Sequence, residues 1–363
     1  MGDESKRLEA IRKRINEIDS KMAELFEQRM LESRGVAEYK MAKGLPICDP
    51  LREEEVIRRN SGLIEDDGIR NLYVDFQKNV MDLSKRYQHQ LTSGLKVAYC
   101  GVPGAFASIA AHRMYPQAEA VPFADFASAY RSVEEGVCDV AVLPMENSYA
   151  GEVSAVTDLM FSGSLFCNRV MELEAVQNLL ACEGADLGTI REVVSHPQAL
   201  SQCAGYIEKK GFITHEYPNT AVAAKMVAEK KDPGIAAIAS EECAELYGLN
   251  VVERHINSSN TNTTRFAAFT RSLNGSRSRH KMGHHFILMF TVKNEAGSLA
   301  KTLNIIGAHG YNMSSLRSRP MKDLMWNYYF YIELDGDINN EEGRSMMTEL
   351  GSLCDRLKLV ANF

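Results

Sequence analysis

Two sets of polar residues in this sequence stand at spacings that suit chemistry on a small anion. In the first, Arg29 and Lys40 are about three helical turns apart, so one helix face would carry both, roughly 16 Å apart along the axis. Ser84 and Gln88 are i,i+4 neighbours beside an apolar stripe. Asp49 stands before Pro50 as a helix cap stands before a first-turn proline, and Arg52 and Glu53 follow in the first turns. Cations lining a helical interior need an anionic ligand, because an unpaired buried charge is very costly. Arg12 is the outlier: it lies about 26 Å before Arg29 along the same helix, too far to reach a small ligand held there. It can serve such a pocket in a second copy of the chain, and a long striped helix is a good dimerisation surface.

The second set comprises short motifs that each follow a predicted strand: Gly101–Phe106, Glu146-Asn147-Ser148 and His196-Pro197-Gln198. Open α/β sheets bind ligands beyond the carboxyl ends of their strands, so these motifs should converge on one cleft. Thr220, before a helix over 221–230, can cap it and offer its N-terminus to an anion. Thr264-Arg265-Phe266 lies just before the last strand of the region. Singly, each has a plainer reading: glycines that only turn, a histidine satisfied in its loop, a threonine that only caps.

The elements that must position these residues fall into three styles. From the start to Leu91 the chain reads as helix, with Leu8, Ile11, Ile15, Ile18, Met22, Leu25 and Phe26 on one stripe and Leu72, Phe76, Val80, Leu83 and Tyr87 on another. From Leu95 to Ser272 short apolar strands alternate with helices, which implies α/β units with largely parallel pairing. After a polar linker from Asn274 to Lys281, the tail reads β-α-β-β-α-β, the ferredoxin-like plan. The domains expected are therefore 1–93, 95–272 and 283–363.

Composition narrows the function. The chain is 45% hydrophobic and 25% charged with a net charge of -7, the balance of a folded protein without the basic patch that nucleic acid requires. No apolar run approaches the ~20 residues that span a bilayer, and no signal segment opens the chain. The 8 cysteines are scattered without a Cys-x-x-Cys pair, as expected of free thiols in a reducing cytoplasm. The 9 histidines show no metal-ligand spacing, so no metal or cofactor is expected.

Taken jointly, Arg12, Arg29, Lys40, Asp49, Arg52, Glu53, Ser84 and Gln88 resemble the pattern of the all-helical chorismate mutases. The resemblance implies that Arg29, and Arg12 from a partner chain, bind the two carboxylates of chorismate. Lys40 and Gln88 would bond its ether oxygen, and Glu53 and Ser84 its ring hydroxyl. Glu146-Asn147-Ser148, the His196 motif and Thr264-Arg265-Phe266 resemble prephenate dehydratase, a domain of two lobes similar to periplasmic binding proteins. That resemblance implies a site between the lobes drawing on Glu146, Asn147, Ser148, His196, Thr220, Thr264, Arg265 and Phe266, with Thr264 as donor to the leaving hydroxyl. Ala107 and Gln177 depart from the pattern, where members usually carry serine and histidine. The tail resembles the ACT domain, the amino-acid-sensing domain of bifunctional members, with phenylalanine as effector held by Gly297, Ser298, Leu299, Asn312, Ser318 and Arg319. Arg317 replaces a family glutamate, a reversed charge that should disfavour an ammonium. Alternatives of other classes are a non-catalytic amino-acid or prephenate sensor, and an enzyme that decarboxylates prephenate without dehydration.

Overall fold

The computed structural model describes residues 2–258, 262–273, 285–321 and 327–363. The expected linker, together with His284 and Trp326, lies outside the described residues. Two compact units form, Met1–Leu95 and Lys96–Phe363.

The first unit is three helices, α1 (Gly2–Lys43), α2 (Pro50–Ser61) and α3 (Asp67–Ser93). Helix α1 stops where Gly44 takes φ 64°, a left-handed turn that glycine adopts without strain. The Asp49 side chain accepts from Arg52 N at 3.1 Å to cap α2, and Asp66 accepts from Gly68 N at 2.7 Å to cap α3. The interior is unusually polar: Ser33, Gln77, Ser84 and Gln88 are buried beside Ala37, Val80 and Met81. Buried polar groups demand partners, and Ser33, Ser84 and Gln77 find them nearby, at Arg29 O, Val80 O and the Tyr73 hydroxyl. By contrast, the α1 stripe stands open, with Ile18 56% and Leu25 62% exposed.

The second unit begins β1 (Lys96–Cys100), α4 (Phe106–Met114), β2 (Glu119–Phe123), α5 (Phe126–Glu134), β3 (Val140–Asn147), β4 (Gly151–Glu152), α6 (Ser154–Ser162) and β5 (Phe166–Glu174). A second lobe follows: β6 (Asn178–Ala181), β7 (Glu192–Ser195), α7 (Pro197–Gln202), α8 (Ala204–Lys210), β8 (Ile213–Glu216), α9 (Thr220–Lys230), β9 (Ile235–Ala239), α10 (Glu241–Tyr247) and β10 (Asn250–Glu253). Strand β11 (Thr263–Thr270) returns the chain to the first lobe, where it pairs antiparallel with both β3 and β5. The pairing is thus more mixed than the expected parallel sheets: β1 runs parallel to β2 and β3, and β7 to β8 and β9, while β6 and β10 are antiparallel. Strands β2, β5, β6 and β10 escape the sequence reading because they are short, or broken by charges such as Arg169 and Glu172 in β5, and gain their pairing from tertiary contacts.

The chain ends with β12 (His285–Thr291), α11 (Ser298–Ala308), β13 (Asn312–Pro320), β14 (Tyr328–Asp335), α12 (Glu341–Leu353) and β15 (Arg356–Asn362). Its strands, in the order β13-β14-β12-β15, continue the first lobe's sheet through β15 against β5. Docking is reinforced at the carboxyl end of α6. Arg356 donates to Phe161 O at 2.8 Å, and Lys358 Nζ donates to Met160 O at 2.8 Å, so cations meet the negative end of a helix. Burial lowers the Lys358 pKa to about 8.

Candidate active sites

The first cavity, of about 190 Å³, lies among α1, α2 and α3 and is lined by Arg29, Lys40, Asp49, Arg52, Glu53, Ser84 and Gln88. These are seven of the eight residues that the sequence singled out for it. Helical period explains the convergence: Arg29, Ser33, Val36 and Lys40 recur on one face of α1, and Met81, Ser84, Lys85 and Gln88 on one face of α3. Arg29 Nη1 donates to Ser84 Oγ, whose own hydrogen goes back to Val80 O at 2.8 Å. Burial lowers the Arg29 pKa, the signature of a cation with too little solvation. Lys40 Nζ donates to Ile47 O at 2.6 Å. Gln88 is 7% exposed and its Oε1 has no partner among the described residues, a buried acceptor awaiting a donor.

Lys85 is a lining residue that the sequence reading missed. Its ammonium bonds Asp82 at 2.9 Å and Glu53 at 3.0 Å, which raises its pKa and holds the Glu53 carboxylate toward the cavity. Its position three before Gln88 on the same stripe was the available signal. Arg12 does not line this cavity; it lies on the exposed part of α1.

The second cavity, of about 180 Å³, opens between the two lobes of the second unit, where residues 175–177 cross from one lobe to the other. Ala105, Phe106, Asn147, Gln177, His196, Gln198, Asn219, Thr220, Asn262 and Thr264 line it, with Ala175, Ala199 and Gln202. The first residues of α4, α7 and α9 all face this space. Three helix N-termini supply positive potential where, among the described residues, no Lys or Arg lines the wall. Asn219, not Thr220, caps α9 by accepting from Val222 N at 2.8 Å, and Thr220 is the buried first residue of the helix.

Asn147 organises the centre. Its Oδ1 accepts from the backbone N–H of Tyr149 at 3.0 Å and Ala150 at 2.8 Å, which settles the orientation of the amide. Its Nδ2 therefore donates, to Asn262 Oδ1 at 2.7 Å and to Thr264 Oγ1 at 2.9 Å. Because Thr264 accepts this bond, its own hydrogen is left for a ligand in the cavity. His196 Nδ1 accepts from Gln198 N at 3.2 Å, which places the proton of the neutral ring on Nε2. Gln177 is 2% exposed, and its Oε1 lacks a partner among the described residues.

Four residues expected here sit elsewhere. Glu146 and Arg265 point to the other face of the sheet and lie 3.7 Å from each other. Ser148 Oγ accepts from Thr263 N at 2.9 Å and fixes the turn. Phe266 is buried in the core with Tyr99, Ile109 and Leu173. For Glu146 and Arg265 the reason is strand alternation, which turns them away from the face of Asn147 and Thr264, whereas Phe266 shares the face of Thr264 but lies further along the strand, inside the core. Asn262, two before Thr264, was readable by the same rule.

In the C-terminal segment Gly297 takes φ 85° ahead of Ser298 and Leu299, which open α11, and Asn312 Nδ2 donates to Asp335 at 2.8 Å. Along β13 Ser318 is exposed, while Arg317 and Arg319 are half-buried against the first lobe. Arg319 donates to Asp158 at 3.1 Å and to Ser154 at 2.7 Å. Arg317 donates to Glu146 at 2.6 Å, so its charge is met by the lobe and not left to oppose an ammonium.

The chain is similar to known proteins in sequence and fold. Residues 97–273 match the family model for prephenate dehydratase, and residues 11–89 match that for chorismate mutase type II. The arogenate dehydratase/prephenate dehydratase 2 of Arabidopsis thaliana, a chloroplastic protein, is 30% identical, over 85% of this chain and 84% of that one. The bifunctional chorismate mutase/prephenate dehydratase of Enterobacter agglomerans is 29% identical, over 97% of this chain and 94% of its own. Among solved structures, GqqA, described as a novel type of quorum-quenching acylase, superposes with TM-score 0.67 at 28% identity, over 74% of this chain and 97% of that one. Prephenate dehydratase of Arthrobacter aurescens, in complex with L-Phe, has the same fold, with TM-score 0.66 at 24% identity over 74% of this chain and 89% of its own.

Proposed function

The chain belongs to the prephenate dehydratase family, with a type II chorismate mutase module ahead of it, and we propose that the two cavities described above carry one of these reactions each. It is a bifunctional enzyme of phenylalanine biosynthesis: chorismate rearranges to prephenate, which then loses carbon dioxide and water to give phenylpyruvate. The observation that carries this reading is that one chain holds two separate cavities, each assembled from the groups that one reaction needs.

A Claisen rearrangement requires no acid or base, only a site that selects the reactive conformer and stabilises charge on the breaking ether bond. Arg29 binds one carboxylate. Lys40 and the amide of Gln88 meet the ether oxygen, Ser84 and Glu53 hold the ring hydroxyl, and Asp49 and Arg52 fix the entry to α2. The second carboxylate takes Arg12 from another copy of the chain. Two features support that assignment: the distance of Arg12 from Arg29 along α1, and the open apolar stripe, Ile18 and Leu25 among it, which a second α1 would cover.

In the second cavity prephenate loses its ring carboxylate as carbon dioxide while the C4 hydroxyl departs with a proton, and the released electron pair aromatises the ring. Thr264 is the donor. The bond from Asn147 orients its hydroxyl and stabilises the charge that develops on Oγ1 as the proton leaves. The α9 terminus at Thr220, with His196 and Asn219, receives carboxylate. The Gln177 carbonyl accepts the hydrogen of the substrate hydroxyl.

The C-terminal segment is a ferredoxin-like ACT module over 283–363, following a mutase module over 1–93 and a dehydratase module over 95–272. Phenylalanine is the effector, taken at Gly297, Ser298 and Leu299 with Asn312 and the exposed face of Ser318. Arg319, engaged by Asp158, serves docking. The enzyme works in the cytoplasm as a homodimer or larger homo-oligomer. Purified protein supplied with chorismate tests the reading: phenylpyruvate supports it, no turnover indicates a sensor, and a non-aromatic decarboxylated acid indicates decarboxylation alone.

A further inference from the structure

Strand pairing sets Thr264 opposite Asn147 and Arg265 opposite Glu146. The two strands that show Thr264 and Asn147 to the cavity therefore show Arg265 and Glu146 to the back of the sheet. There the C-terminal segment meets them. Arg265 makes a two-pronged ion pair with Glu333 of β14, Nη1 to Oε2 at 3.0 Å and Nη2 to Oε1 at 2.7 Å. Glu146 lies 3.7 Å from Arg265 and accepts from Arg317 of β13 at 2.6 Å. Glu333 is 5% exposed, Tyr331 donates to it at 3.3 Å, and the Arg317 guanidinium lies 5.2 Å from the centre of the Tyr331 ring. Charges thus alternate along Arg317, Glu146, Arg265 and Glu333, each beside an opposite one.

The position of this network matters more than its charge. The Asn147–Thr264 pair sits where β3 ends and β11 begins, beyond a register shift between Arg265 and Phe266. A bulge interrupts the β3–β11 ladder here, while β5 pairs with Thr264 and β4 with Asn147 on their outer sides, so the setting of these two strand ends against each other depends less on their shared ladder than on their other partners. A forked guanidinium–carboxylate pair, by contrast, has one good geometry. Because Glu333 is buried, leaving that geometry strands a charge.

We propose that Glu333 and Arg317 are positioning residues for the dehydratase reaction: acting through Arg265 and Glu146, they hold the strand ends at which Asn147 meets Thr264. The inference rests on the reading of Thr264 as proton donor. It makes the C-terminal segment part of the dehydratase's working geometry, and any shift of β14 is transmitted to the residue beside Thr264.

The test uses the full chain with added prephenate. Glu333→Gln keeps the shape but removes the charge; kcat should fall about 10- to 100-fold while KM stays within about threefold, as for misplaced catalytic groups. Glu333→Asp, which keeps the charge on a shorter side chain, should lose less than Glu333→Gln. Arg317→Gln, at the more open end of the network, should lower kcat in the same sense. Asp158→Asn is the control, because it weakens another ion pair between the same two segments without touching either strand end. Its kcat should remain within about twofold of the parent, and thermal unfolding should show every variant folded. Unchanged kcat in both Glu333→Gln and Arg317→Gln, or an equal fall in Asp158→Asn, would overturn the proposal. Full activity in Thr264→Ala would instead remove the donor assignment, and that variant leaves the network untouched.

Discussion

The mutase cavity and the dehydratase cavity each receive a substrate with two carboxylates, yet their walls are made of different materials. Arg29, Lys40 and Arg52 line the first; helix N-termini, amides and hydroxyls line the second. The difference follows from the chemistry. A rearrangement gains from fixed charges aimed at the ether oxygen, and keeps all its atoms. A dehydration must expel a carboxylate as neutral carbon dioxide, and a cation clamped on that group would hold it back. Partial charges from α4, α7 and α9 bind the anion without that penalty.

The contrast extends to how each site is assembled. The mutase set comes from faces of helices, and α1 alone carries four lining residues. The dehydratase set comes from strand ends and helix starts contributed by two lobes, with the charged members of its motifs turned to the back of the sheet. Its central pair is neutral, and its charges are structural.

Arg29→Ala should separate the two sites most sharply, with chorismate turnover falling by about 10²- to 10³-fold and added prephenate still consumed at the parent rate. Mixing this variant with Arg12→Ala should restore about a quarter of mutase activity if the site is shared between copies, since half the dimers are mixed and each has one intact site. Steady-state assays of the mixture against each variant alone give the answer; no recovery would confine the site to one chain. Gln177→Leu should cost the dehydratase roughly tenfold by removing one buried acceptor, without change in the mutase. Equal rates in the two proteins would take Gln177 out of the reaction.

The smallest effect concerns stability. His309 bonds Glu342 at 2.8 Å and Glu349 at 3.1 Å, and its pKa is raised chiefly by the bond to Glu342. A raised folded-state pKa stabilises fully below the unfolded value and less as pH rises through the folded one. His309→Gln should therefore lower the unfolding temperature more at pH 6 than at pH 8.5, and calorimetry at both values checks the sign.

How much of this was readable depended on the period of each element. Arg29 and Lys40, or Ser84 and Gln88, can be assigned to one face from number alone, because a helix repeats regularly over long stretches. Lys85 was overlooked, though it stands on the same stripe. In the α/β region the strand-end rule brought Asn147, His196, Thr220 and Thr264 to one cleft. It failed for Glu146 and Arg265 because a contiguous triplet was taken whole, whereas a strand turns alternate residues away, and for Phe266 because its ring lies deeper in the core on the face of Thr264. The antiparallel strands β5 and β6 were not legible, since their pairing depends on contacts distant in sequence. Arg317 was read from sequence as a charge set against an effector; its partner Glu146 lies far upstream in the chain and only the fold brings them together.

The most direct test of two independent sites is Thr264→Ala supplied first with chorismate and then with prephenate. Chorismate should disappear at the parent rate, prephenate should accumulate, and phenylpyruvate should form about 10²- to 10⁴-fold more slowly. Phenylpyruvate at an undiminished rate, or loss of chorismate turnover along with it, would contradict the account.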